Sequence, residues 1–458
     1  MDTKSSGSKK AKTTSKTNTK STKQLKYSNL SVELTGKLDK ETKKNNGIFF
    51  TPPDRVKKNL KFLKPYFESG DIKEVLEPSC GSGEYITCLK KMRKKLDSDK
   101  KFKITAIEYN KDIYNGIKDQ LSSKSTKVIN DDYLQFKPPI KYDLIIGNPP
   151  YYVIKKNEID IGTYHYFSGR PNIFLLFIQK SLNYLNDNGI LSFILPKNFL
   201  NCGYYRFLRE HILKKFKILA IHECNEKYIE TGQDTIMMII QNSARKSKET
   251  DDIETKQKYR TLNLENNEEY FINRRCEWVF LTNRNRQKIK KLYENSTSLH
   301  ELGFNVRVGR LVWNQNKEIL TDDNTRTRLI YSSDIKDGKL ITQEYKNPEK
   351  KNYIKQKGIQ DMILLVNRGY GKGTYSFNYC LLDVEFEYLI ENHLICIEYR
   401  GIDKNKNTKK LKRSELLKKY KAIIKSFEDT RTKQFVECYF GNNAINTSEL
   451  NYYLPIYV

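Results

Sequence analysis

Short apolar runs recur along the first half of the chain, and most of them end in a glycine or a carboxylate. Glu74-Val75-Leu76-Glu77-Pro78-Ser79-Cys80-Gly81-Ser82-Gly83-Glu84-Tyr85 predicts a strand, a glycine-rich turn and the start of a helix. Ile104–Glu108 predicts a strand that ends in a carboxylate, and Val128–Leu134 a further strand end carrying Asp131 and Asp132. Tyr142-Asp143-Leu144-Ile145-Ile146-Gly147 reads as a buried strand closed by a glycine turn. Between them lie helical patterns. Val56, Leu60 and Leu63 fall on one helical face, and Asn172-Ile173-Phe174-Leu175-Leu176-Phe177 opens a helix that is expected to stop near Asn188-Gly189. Gly189–Pro196 is nearly continuous in apolar residues, as befits a strand covered on both faces, and Ile236–Ile240 is another such run. The alternation predicts an α/β fold with a mostly parallel central sheet.

The pattern fades at both ends. Residues 1–45 are rich in Lys, Ser and Thr and nearly free of aromatics, which predicts a disordered basic tail. Lys9-Lys10-Ala11-Lys12 in that tail suits an auxiliary DNA contact or a nuclear address, and a merely solvated tail equally. A charged stretch, residues 246–262, separates an α/β domain over 46–245 from a second, mixed α+β domain over 263–458. The chain carries a net charge of +28 over 458 residues, which points to a polyanionic partner. AT-rich coding that inflates lysine and asparagine explains part of that excess, but not why acids fail to balance it. Eight cysteines form no C-x-x-C pair, so neither a zinc site nor a disulfide framework is indicated, and a reducing intracellular compartment is expected. Such a compartment is the cytoplasm of a bacterium, or a viral or nuclear setting. No apolar run is long enough to span a membrane and no signal peptide is evident.

The most informative residues are Asn148-Pro149-Pro150-Tyr151, directly after the Tyr142–Gly147 strand. Two prolines stiffen the loop, and Pro150 drives Pro149 into extended geometry, which aims the Pro149 carbonyl. The loop thus offers an amide oxygen, a directed carbonyl and an aromatic face. Two acceptors and one stacking surface suit a planar substrate with an exocyclic amino group. Only the ring face of Tyr151 is needed for that role. Gly81 and Gly83 leave room for a ligand to approach the backbone, and the Glu108 carboxylate stands where ribose hydroxyls are commonly bound. The five histidines are few, in keeping with chemistry that needs no imidazole or metal.

In this order, the motifs resemble the S-adenosylmethionine-dependent DNA adenine-N6 methyltransferases of gamma-type motif order, the restriction-modification class with a C-terminal target-recognition domain. The resemblance covers residues 47 to about 242 and implies a Rossmann-like methyltransferase domain. It implies that Phe50-Thr51-Pro52 lies against the methionine end of S-adenosylmethionine, with Glu77, Pro78, Gly81 and Gly83 around it. It places Glu108 on the ribose and Asp132 near the cofactor's adenine, and makes Tyr109 and Tyr133 further cofactor-binding candidates. Asn148, Pro149, Pro150 and Tyr151 become the catalytic loop, and Tyr228 packs the second face of a flipped base. A looser resemblance in the second half makes Arg307, Arg310, Asn314, Lys317, Arg368, Tyr370 and Lys372 candidates for contacts with double-stranded DNA. The expected partners are DNA and, at most, a separately encoded restriction endonuclease, with the chain acting as a monomer. Enzymes that methylate guanine N2 in RNA or a glutamine amide share the catalytic loop. The basic C-terminal half favours nucleic acid over protein. A catalytically silent specificity protein fits poorly with an intact Asn148, Tyr151, Gly81 and Glu108. A fused nuclease is not expected, because only the tail precedes the cofactor segment.

Overall fold

The structure is a computed structural model that describes residues 27–37, 39, 41, 43, 46–169, 171–224, 234–242, 264–274, 277–369, 375–401, 411–440 and 444–458. Strands β1 (Glu74–Glu77), β2 (Lys103–Glu108), β3 (Thr126–Asn130), β4 (Tyr142–Gly147), β5 (Leu185–Pro196), β6 (Phe216–Cys224) and β7 (Thr235–Asn242) form one sheet. Its order is β3-β2-β1-β4-β5-β7-β6. The first five strands are parallel, and β7 runs antiparallel between β5 and β6. Helices α1 (Asn29–Lys37), α2 (Pro53–Ser69), α3 (Glu84–Arg93), α4 (Lys111–Leu121), α5 (Ile173–Asn183) and α6 (Arg206–Lys215) cover it.

Side chains alternate across the sheet as a period of two requires. Leu144, Ile146, Ile190 and Ile194 face a core with Val56, Leu60, Leu63 and Phe67 of α2. Ile145, Leu191, Phe193 and Leu195 face the opposite core with Phe174 and Phe177 of α5 and Leu208 and Ile212 of α6. The doubly covered sheet explains why β4 and β5 are apolar almost throughout. α2 starts with Pro53 at its first turn and ends at Gly70, whose φ of 84° makes the left-handed cap. Strand polarity and order bring the carboxyl ends of β1, β2 and β4 together at a switch point, where open α/β sheets bind ligands.

Three expectations change. The segment 1–45 is not a tail throughout: α1 is folded, with Ser31 and Leu34 buried. Ser28 accepts from the Ser31 amide as a helix cap, and Leu30 and Leu34, one turn apart, meet a core containing Phe50, Ile86 and Ile117. Helix α5 stops at Asn183, not near Asn188, because Tyr142 and Leu185 pair and start β5 earlier. The Val128–Leu134 strand ends at Asn130. The expected linker 246–262 lies outside the described residues.

The break at 263 also does not separate two cores. The hairpin β8 (Phe271–Arg274) and β9 (Glu277–Phe280) is shared. Phe280 joins the core of Phe199 and Leu208, whereas Val279 and Leu281 join the C-terminal core. Beyond it, β10 (Phe304–Val308) begins the C-terminal sheets. Short strands β11 (Leu320–Thr321), β12 (Thr327–Ile330), β13 (Ile335–Lys336), β14 (Lys339–Leu340) and β15 (Tyr353–Ile354) follow. Next come β16 (Ile363–Asn367), β17 (Tyr379–Leu382), β18 (Tyr388–Ile390) and β19 (Leu394–Tyr399). Eight of them form two four-stranded sheets, β10-β19-β16-β17 and β11-β15-β12-β18, and β13 pairs with β14 in a two-stranded ribbon. Helices α7 (Arg286–Tyr293), α8 (Arg413–Glu428) and α9 (Thr430–Tyr439) pack with the first of these.

Candidate active site

The catalytic-loop candidates and the glycine turn meet at the carboxyl ends of β1 and β4. Ser79 Oγ donates to the Asn148 carbonyl at 3.2 Å and so ties the two loops together. The Asn148 amide is held at both ends. Its Nδ2 donates to the Phe49 carbonyl at 3.3 Å, and its Oδ1 lies 2.6 Å from the Tyr151 hydroxyl. That hydroxyl also lies 2.8 Å from the Ile194 carbonyl on β5. A phenol has one proton, so it is shared between the two acceptors. The Tyr151 ring is half-buried and edge-on to Phe174, with centroids 6.0 Å apart. The segment before α2 runs over this loop, since a Cβ at Gly47 would lie 2.6 Å from the Tyr151 amide nitrogen. With φ at +60°, Gly47 has two reasons to be glycine.

The neighbouring ends of β1 and β2 carry two buried carboxyls. Glu108 is 7% exposed at the end of β2. One carboxylate oxygen accepts from the Gly81 amide and the other from the Asn110 amide, each at 2.8 Å. Burial pushes its carboxyl up to about 7, against the pull of these two amides. Glu77, at the end of β1, is 2% exposed. Burial first, then the charges of Glu108 and Glu84, raises its carboxyl well above the ordinary range. Glu77 Oε2 has no hydrogen-bond partner. A buried, unsatisfied carboxyl oxygen beside a second buried carboxyl calls for a ligand that brings positive charge and hydroxyl donors. Gly81, at φ +51°, faces Phe50: a Cβ there would sit 3.2 Å from the ring. Thr51 is buried beside it, and Pro52 caps α2. Tyr109 is 70% exposed at the rim, and Asp132 is half-buried with Oδ1 accepting from the Leu134 amide.

Two cofactor candidates belong elsewhere. Tyr133 is fully buried; its hydroxyl lies 2.9 Å from Ser181 Oγ, and its ring packs on Phe177 in the core. The residue after Asp132 points inward because the chain turns there. Gly83 does not face the pocket either, because a Cβ would lie 2.1 Å from Leu121 Cδ1, so its missing side chain serves helix packing. Pro78 is buried between the glycine turn and Gly147, 3.6 Å from where a Cβ on that glycine would stand. Tyr228, Tyr370 and Lys372 lie outside the described residues.

In the C-terminal half, Arg307 is not available to read a base. It bridges β10 to β19 through an ion pair with Glu398 and donates to the Val308 carbonyl at 3.1 Å. Lys317 pairs with Glu349 at 2.6 Å on the surface. Arg310, Asn314 and Arg368 are exposed. An open groove of about 570 Å³, not anticipated from the sequence, is lined by Arg326, Lys355, Gln356, Lys357 and Phe386. Its lysines sit in a short Lys-Gln-Lys run next to β15, a signal too common to stand out. Among the described residues no cluster suits a metal ion, and no helix is long and apolar enough to cross a membrane.

Residues 13–229 match the family described as Eco57I restriction-modification methylase, and the match begins inside the segment expected to be a tail. The modification methylase CviBIII of Paramecium bursaria Chlorella virus NC1A is 30% identical over 233 residues, 49% of this chain and 57% of that protein. The type II methyltransferase M.CvrRI of Paramecium bursaria Chlorella virus XZ-6E is 25% identical over 420 residues, 89% of this chain and 93% of that protein. Among solved structures, a DrdV–DNA complex is similar at a TM-score of 0.45 and 11% identity, over 89% of this chain and 54% of that one. Likeness of that size carries no argument about activity. Sequence order, sheet topology and the match over residues 13–229 agree: this part of the chain is similar to the Eco57I restriction-modification methylases.

Proposed function

We propose that the chain transfers a methyl group from S-adenosylmethionine to the N6 amino group of adenine in duplex DNA, at a sequence selected by its C-terminal half. S-adenosylmethionine is the cofactor of methyltransferases similar to this chain, and the residues at the carboxyl ends of β1 and β2 fit it. Its two ribose hydroxyls suit the Glu108 carboxylate, and its cationic methionine end suits the buried, unpartnered Glu77. When bound, it supplies an activated methyl group on a sulfonium. The remaining work falls to the chain's own residues.

An aromatic amine is a weak nucleophile because its lone pair is delocalised into the ring. Asn148 Oδ1 and the Pro149 carbonyl accept the two amino hydrogens, which favours a pyramidal nitrogen with a usable lone pair. The Tyr151 hydroxyl and the Phe49 carbonyl hold the Asn148 amide from either end, so the acceptor is oriented before the base arrives. The Asn148 oxygen keeps a second lone pair for the amino group. Duplex stacking hides N6 from this loop, so the base is flipped out, and the exposed part of the Tyr151 ring recovers stacking energy. The basic surface of the C-terminal half, including Arg310 and Arg368, supplies DNA contacts.

One observation carries this reading: an amide held at both ends, at the carboxyl end of β4, next to the buried carboxyls of Glu77 and Glu108. The test is transfer of isotopically labelled methyl from S-adenosylmethionine to duplex DNA, followed by nucleoside analysis. N6-methyladenine is the expected product. A labelled cytosine, or label only in RNA or protein, would contradict the proposal.

A further inference from the structure

Helix α1 lies over the glycine turn, and its contacts there are polar, buried and complete. Ser31 is 0% exposed. Its hydroxyl donates to Glu84 Oε1 at 2.9 Å. With that proton committed, its two lone pairs accept from the hydroxyls of Ser82, at 2.8 Å, and Ser28, at 2.9 Å. Ser82 and Glu84 are themselves 5% and 7% exposed. They flank Gly83 in the turn Gly81-Ser82-Gly83-Glu84, whose Gly81 amide donates to Glu108. On the same helix, Leu34 packs 3.3 Å from where a Cβ on Gly116 would stand, and joins the core containing Phe50 and Cys80. The helix therefore rests on both sides of the turn. Its apolar edge shares a core with Phe50, the residue that also faces Gly81. The Lys43 ammonium donates to the Thr35 carbonyl near the helix end at 3.1 Å, a cation where the helix dipole favours one.

We infer that α1 is a retaining cover for the cofactor, and that Ser31 is a positioning residue whose hydroxyl, through Ser82 and Glu84, sets the glycine turn that presents Gly81 and Glu108. The inference rests on the assignment of this pocket to S-adenosylmethionine. A turn of two glycines with φ of +51° and +75° has wide freedom, so its geometry must be imposed from outside. Ser31 imposes it with one hydroxyl that satisfies a buried carboxylate and orients a neighbouring serine. Without that hydroxyl, Glu84 and Ser82 each lose a buried partner, and the turn relaxes away from the position in which Gly81 holds Glu108. Cofactor release then no longer waits for the cover to open.

The test uses the full chain and S-adenosylmethionine itself. Ser31→Ala is expected to weaken cofactor binding about tenfold, in keeping with the loss of a hydrogen bond to a charged group, with most of the change in the dissociation rate. Melting without cofactor is expected to fall only modestly, as the loss of one buried hydrogen-bond donor requires, and affinity for duplex DNA to change little. Glu84→Gln, which keeps an acceptor for Ser31, is expected to lie between wild type and Ser31→Ala. A measurement free of substitutions guards against misfolding: amide exchange in Asn29–Lys37 of wild type is expected to slow when cofactor is added. Equal dissociation rates for wild type and Ser31→Ala would overturn the inference, as would exchange in α1 unaffected by cofactor. A fall in melting temperature and DNA affinity that matches the loss of cofactor affinity would reduce Ser31 to a folding role and also overturn it. No binding by wild type would overturn the cofactor assignment first and this inference with it.

Discussion

Replacing Tyr151 by phenylalanine separates the ring of this residue from its hydroxyl. If the ring face alone mattered, phenylalanine would substitute freely. The hydroxyl, however, lies 2.6 Å from Asn148 Oδ1 and 2.8 Å from the Ile194 carbonyl. Removing it leaves the Asn148 side chain with the 3.3 Å contact from Nδ2 to the Phe49 carbonyl. A neutral hydrogen bond is worth ~0.5–1.5 kcal/mol net, and an acceptor left unsatisfied in a half-buried place loses ~1–3 kcal/mol. In the proposed mechanism the Asn148 oxygen faces the incoming amino group and regains a partner only when the base is bound, so the loss is expected to fall on orientation in the transition state. At ~1.4 kcal/mol for each factor of ten, the rate of methyl transfer is expected to fall roughly 5–30-fold. Cofactor affinity should not change, because the hydroxyl makes no contact in the acidic pocket. Single-turnover transfer with preformed enzyme–DNA complex measures this directly. Tyr151→Ala, which also loses the ring, should be slower still. A wild-type single-turnover rate in Tyr151→Phe would refute the role of the hydroxyl and return Tyr151 to a stacking surface.

Three further outcomes follow from the geometry. Burial raises the Glu108 carboxyl from 4.5 to about 7, and in the proposed binding mode the ribose hydroxyls need the ionised form, so cofactor affinity should rise roughly tenfold between pH 6 and 8 by calorimetry; Glu108→Gln should bind weakly with no such slope. For folding the sign is opposite: the folded state holds a proton that the unfolded chain releases, so the Glu108 contribution to stability declines as pH rises from 4.5 to about 7 and is flat above. Arg310→Ala should weaken or relax DNA recognition by ~1–3 kcal/mol on a panel of single-mismatch duplexes, whereas Arg307→Ala should lower stability and leave base preference alone, because Arg307 is spent on Glu398; the reverse pattern would reassign both. Asp334 is fully buried and accepts from Arg328, the Tyr331 amide and the Tyr345 hydroxyl, so Asp334→Ala should destabilise the β11-β15-β12-β18 region by ~3–5 kcal/mol in chemical denaturation, and an unchanged midpoint would contradict this.

The central sheet was legible because buried parallel strands read as unbroken apolar runs. β4 ends at Gly147 as its Tyr142–Gly147 pattern predicts, and the catalytic-loop candidates follow directly. What was not legible depends on partners distant in sequence. Strand β6 carries Lys217, His222 and Glu223, as an edge strand can, and so lacks the apolar signature. α1 has two leucines in a field of polar residues, and its burial is decided by Ser82 and Glu84, some fifty residues on. Arg307 looked like a base reader because Glu398, its partner, is 91 residues away. Tyr133 sits beside an acidic strand end, and only the turn after Asn130 sends it into the core. The shared hairpin also revises a natural experiment. A chain cut near Arg245 would lose Tyr270 and Phe280 from the first core, so a cut after about residue 283 is the better test of an isolated methyltransferase half.

The claim on which all of this depends is that Asn148 presents its amide oxygen to the amino group of adenine. DNA from cells expressing the full chain, sequenced by a method that detects modified bases, tests it most directly. N6-methyladenine is expected at one short motif throughout the genome, and none in cells expressing Asn148→Ala at the same level and with cofactor affinity preserved. Modified cytosine in place of adenine, or adenine modification that survives Asn148→Ala, would contradict it.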